Sequence, residues 1–97
     1  MVRPITDHSI PGHRPTRLDP WMLNYHLDGA AQSLRETITN LRLAAPYLAA
    51  GDATEQGKAT EYLAVANHLA AQAVLLGNDA AHWQRASDAE DARRRAR

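Results

Sequence analysis

The chain has 97 residues, eleven basic and eleven acidic side chains, five histidines and no cysteine, so its formal net charge is zero. That length allows one domain at most, and the absence of cysteine removes disulfides and thiolate metal sites. The apolar runs, such as Tyr62–Ala66 and Ala73–Leu76, fall far short of the ~20 residues a membrane span needs, and no secretory signal opens the chain. A soluble, cytoplasmic protein without membrane contact is the expectation.

Charge is nonetheless unevenly placed. Residues 1–20 carry a balance of +1, residues 21–84 of −3 and residues 85–97 of +2. Four of the five prolines, Pro4, Pro11, Pro15 and Pro20, lie in the first 20 positions. Each removes a backbone donor and biases its predecessor away from helix, so residues 1–18 read as an extended or disordered arm. Such an arm is available to order on a protein partner. Residues 19–97 read as a single helical domain.

Asp19-Pro20 opens the first helix, with an aspartate to accept from the orphan amides and a proline at the first helical position. Leu23, Leu27, Ala30, Leu34, Ile38, Leu41, Ala45 and Leu48 then recur in steps of three and four, which predicts one apolar stripe. Gln32, Ser33, Arg35, Glu36, Thr39, Asn40 and Arg42 suit the opposite, wet face. A kink or restart is expected at Pro46 and an end at Gly51.

Asp52-Ala53-Thr54-Glu55 reads as a capping box for the second helix. Its stripe is Tyr62, Ala66, Leu69, Ala73, Leu76, Ala80 and Trp83. Gly77-Asn78-Asp79 carries stop and restart chemistry, so helices are expected over about residues 20–50, 53–77 and 79–95. The short connection makes the first two run antiparallel, with level positions summing to about 105. That register sets Leu41 against Ala64 and Leu34 against Ala71, and puts Trp21 next to Trp83 at the open end. The predicted fold is all-α: an antiparallel helical hairpin with a short C-terminal helix, assembling into a dimeric helical bundle.

The case for a dimer rests on the circumference of the second helix. Besides its stripe it shows Leu63, Ala64, Ala70, Ala71, Val74 and Leu75, too much apolar surface for one neighbour and water. Either residues 80–95 fold back over it, or a second copy covers it. Leu63, Val74 and Leu75 left in solvent by both would remove the case. A core of this size and alanine content supplies no more than ~3–5 kcal/mol, which favours the second copy. The candidate interface is Leu63, Ala70, Val74 and Leu75, with Trp21 and Trp83 as aromatic anchors or as a plug for the bundle end.

No catalytic residue, metal site or cofactor is assigned. None of the four glutamates is followed three residues on by histidine, so the Glu-x-x-His pair of di-iron bundles is missing. Phosphate-loop, His-Glu-x-x-His and nucleophile-elbow motifs are also absent, and a non-enzyme is expected. Only His26 and His82, near one end with Asp28 and Asp79, offer a remote metal candidate; His68 is distant, and His8 and His13 lie in the arm. Arg93, Arg94, Arg95 and Arg97 suggest an alternative role in nucleic-acid association, helped by Arg3, Arg14 and Arg17. Against it, Glu90 and Asp91 stand at ion-pairing distance along a helix, arginines suit a helix C-terminus, and no aromatic residue is interleaved.

The length and hairpin form resemble the small helical substrates of type VII secretion, whose turn is marked Trp-x-Gly. Here the turn reads Ala49-Ala50-Gly51-Asp52, and Tyr62 is followed four residues on by Ala66 instead of an acid. Both marks of that family are missing, and its function is not carried over.

Overall fold

A computed structural model describes residues 16–96, which form two helices and no strand. Helix α1 spans Pro20–Ala49 and helix α2 spans Ala53–Arg95. Asp19 caps α1, its carboxylate accepting from the Met22 amide at 3.2 Å, with Pro20 at the first turn.

The connection between the helices is held by its own side chains. Asp52 accepts from the Thr54 and Glu55 amides at 3.0 and 3.1 Å, while Glu55 accepts from the Asp52 amide at 2.9 Å. This is the capping box expected from Asp52 and Glu55. The Gln56 side chain donates to the Gly51 carbonyl at 3.0 Å. Glycine at position 51 has a steric reason, because a Cβ there would run into the Glu55 side chain that closes the cap.

The Asn24 amide donates to the Ala80 carbonyl at 2.9 Å, a bond across 56 residues of sequence. It sets the register: positions whose numbers sum to 104 lie level on the two antiparallel helices. Ala31, Ile38 and Ala45 on α1, and Ala59, Ala66, Ala73, Ala80 and Ser87 on α2, are the buried residues. Both rows repeat every seven positions, and a strict heptad keeps the seam facing its partner through a left-handed supercoil. Alanine supplies most of the buried row, so the axes can approach toward the short end of the ~8–10 Å range for packed helices. Leu34, Leu41, Leu69 and Ala70 pack half-buried against the central cluster of Ile38, Ala66 and Ala73.

Three expectations are corrected here. First, there is no separate C-terminal helix: α2 is continuous through Gly77-Asn78-Asp79. The seam crosses that point in phase, with Ala73 and Ala80 both buried and Asn24 anchored on Ala80, and packing outweighs the local stop signal. Residues 80–95 therefore do not fold back over α2. Second, α1 continues through Pro46, so of the kink or restart expected there the restart is not found. The proline is exposed, so the Arg42 carbonyl it leaves without a helical donor lies on the water side. Third, the register is one residue from the expected sum. Ala64 and Ala71 are exposed instead of facing Leu41 and Leu34, and Ala31, not Ala30, is buried. The difference is an axial offset of about one residue rise, ~1.5 Å, and the expected stripes still face each other across the seam.

The molecule is a thin layer. Its extents are 66 × 32 × 16 Å and its radius of gyration is 19.2 Å, against about 13 Å for a compact domain of ~100 residues. Among the described residues no large side chain is completely buried. The second layer against which helical faces are ordinarily buried is not supplied by this chain's described residues.

Candidate interaction surface

The heptad that buries one row of α2 also orders what it leaves outside. Leu63 is 43% exposed, Val74 61% and Leu75 58%, and Tyr62 and Val65 are open as well. Leu63, Val74 and Leu75 thus lie open, and no other segment of the described residues covers them. Ala70 differs, being half-buried beside the core cluster on the edge of the seam.

From Tyr62 to Asn78, 17 consecutive positions of α2 hold no Asp, Glu, Lys or Arg. The run is bracketed by the exposed Lys58–Glu61 ion pair at 3.3 Å and by Asp79. Exposed helix faces are ordinarily charged or polar, and a helix apolar on several sides is ordinarily covered. The run is readable in the sequence, and it also marks Asn67 and Gly77 as part of the uncharged surface, which the stripe alone does not.

Trp21 and Trp83 are level with each other in the observed register. Trp21 is 56% exposed and stacks on Tyr25 with centroids 5.6 Å apart and planes 7° from parallel. Tyr25 in turn meets the edge of His26, and His82 that of Trp83. Those aromatic contacts are where the two histidine rings lie. Among the described residues no three His, Asp or Glu side chains gather as a metal site.

At the far end of α2 the arginines divide. Arg94 pairs with Glu90 at 3.5 Å and with Asp91 at 3.3 Å. Arg93 and Arg95 are exposed, in the last turn where positive charge suits the helix dipole. Arg97, the arm residues Arg3 and Arg14, and His8 and His13 lie outside the described residues, as does most of the 1–18 arm. On the outer side of α1, Gln32, Arg35, Glu36, Thr39 and Asn40 border a shallow polar depression. All five come from one helix, which leaves nothing to enclose a ligand.

Comparison with family models, with curated proteins and with solved structures finds no match to this chain. Among the described residues no helix is long and apolar enough to cross a membrane.

Proposed function

We propose that this protein is a non-catalytic self-association module in which two-helix layers pair through the outer face of α2 into a helical bundle. The observation that carries this reading is the exposure of Leu63, Val74 and Leu75 on a stretch of helix without charge. Folding back of residues 80–95 would have covered that face from within, and the continuous α2 removes that route. No other segment of the described residues covers it, and a second copy of the chain is the proposed cover. The thinness of the layer argues the same way, since apolar burial contributes ~25 cal/mol/Å² and alanine offers little area. The arm, residues 1–18, is proposed as a segment that orders on a protein partner.

A role at nucleic acid draws less support. Of the three described terminal arginines, Arg94 is held by two carboxylates, and phosphate contact needs free cationic groups.

Mass in solution tests the proposal. Light scattering on the full chain at micromolar concentration is expected to report twice the 10.7 kDa of one chain, or a higher multiple. A single 10.7 kDa species overturns self-association.

A further inference from the structure

Resting on the self-association reading, the structure points to a specific geometry for it: we propose that two copies pair α2 to α2 in antiparallel fashion, about a two-fold axis at the level of residue 72. The seam used is not the one that holds α1. Leu63, Asn67, Ala70, Val74, Gly77 and Ala81 follow one another in steps of four and three, a second heptad row on the same helix. Seven-residue geometry turns this row by about a quarter of the circumference from the Ala66–Ala73–Ala80 row, so α1 and a second α2 fit side by side around one helix.

What selects a second copy as the occupant is the order of sizes along that row. Reflected about position 72, Leu63 falls opposite Ala81, Asn67 opposite Gly77, and Ala70 opposite Val74. Leu63, Asn67 and Val74, the three larger side chains, each meet a small residue. A two-fold interface must be self-complementary in this way, because each patch meets itself reversed. A row with Leu63 and Val74 at mirrored positions would instead set large residues against each other. The row also lies within the charge-free run, apart from Ala81, so no like charges approach across it.

Asn67 is the one polar member of the row, and covering it requires a hydrogen-bond partner. Gly77 opposite supplies one, since the missing Cβ leaves its backbone carbonyl within reach of an amide. The hairpin already contains the same device, the Asn24 amide donating to the Ala80 carbonyl across a small side chain. A single asparagine in a helical seam fixes register, which here is the register about residue 72.

The chain lacks cysteine, so introduced thiols report the geometry directly. Ala70→Cys and Val74→Cys proteins are prepared separately, mixed in equal amounts and oxidised. The mixture is expected to form a covalent heterodimer in several-fold excess over either protein alone, while light scattering on each variant reports twice the single-chain mass. Val74→Glu is expected to lower the mass to one chain, and Thr39→Glu, on the polar outer side of α1, to leave it doubled. A doubled mass with no heterodimer excess, or with Ala70→Cys linking to itself as readily, overturns the geometry and leaves self-association standing. A single-chain mass for the unmodified protein overturns both.

Discussion

Over their middle turns the outer faces of α1 and α2 are built from different materials, while toward the connection α1 also exposes Leu43 and Tyr47. On α1 the exposed middle turns hold Gln32, Arg35, Glu36, Thr39 and Asn40, and the apolar residues of those turns gather on the side facing α2. On α2 the exposed middle turns hold Leu63, Ala64, Ala71, Val74 and Leu75, and apolar residues are spread around the helix. Two helices of one hairpin meet the same solvent, so the fold alone does not require this difference. Under the proposed self-association, α1 would end the assembly and α2 would continue it.

The comparison has a baseline in the seam itself. Ile38 is the one large buried residue in an otherwise small-residue row, 5% exposed against Ala66 and Ala73. Ile38→Ala is expected to destabilise by about 2–5 kcal/mol, the range for removing a buried branched side chain. Such a loss rivals the whole stability of a domain this small. Thermal unfolding followed by circular dichroism measures it. A melting temperature within a degree or two of the parent would mean that the seam contributes little and that the hairpin depends on other contacts.

A smaller effect separates the inside of α2 from its outside. Ala66 is wholly buried, and Ala66→Leu forces extra methylenes between two close backbones, at an expected cost of about 1–3 kcal/mol. Ala71, five positions along, is exposed and lies in neither heptad row. Ala71→Leu is expected to change stability by no more than about 0.5 kcal/mol. The two variants add the same atoms to the same helix, so denaturant titration of the pair reads the seam alone. Equal losses would place Ala71 against something, and the face of α2 would need to be redrawn.

How far these features are legible in the sequence depends on the residue. Asp19-Pro20 and Asp52 with Glu55 announce the two helix starts by local hydrogen-bond chemistry, which needs no tertiary information. The stripe from Tyr62 through Trp83 is equally plain, and its alanines at positions 66, 73 and 80 are the buried row. Gly77-Asn78 misleads because stop signals are local while the seam that overrides them is not. The register misses by one because the midpoint of the connection depends on where α1 ends, and Ala49, Ala50 and Gly51 are all acceptable ends by propensity. At the candidate surface, Leu63, Val74 and Leu75 are legible as surplus apolar residues. Asn67 is not, because a polar residue drops out of any apolar count. That Ala70 is partly taken by the first seam, and that Gly77 and Ala81 extend the outer row, follows only once the helix is known to be unbroken.

The smallest expected effect sharpens the comparison most. Gly29 on α1 and Gly77 on α2 are both mid-helix, and a Cβ at either meets nothing within 4 Å in the single chain. Glycine in a helix interior costs about 0.5–1 kcal/mol relative to alanine through backbone entropy. Gly29→Ala and Gly77→Ala are therefore expected to stabilise the dissociated chain by that amount, each read as a rise in unfolding temperature at low concentration. At higher concentration the two part company. The methyl at position 29 stays in water on a face that ends the assembly, and its gain is independent of concentration. The methyl at position 77 enters a row where a second copy brings Asn67 opposite, and it pushes that amide away from the backbone carbonyl. Its gain is expected to shrink as dimer accumulates. A concentration-dependent difference between two substitutions that are equivalent within one chain locates the second chain on α2. Identical behaviour at every concentration leaves both faces in water.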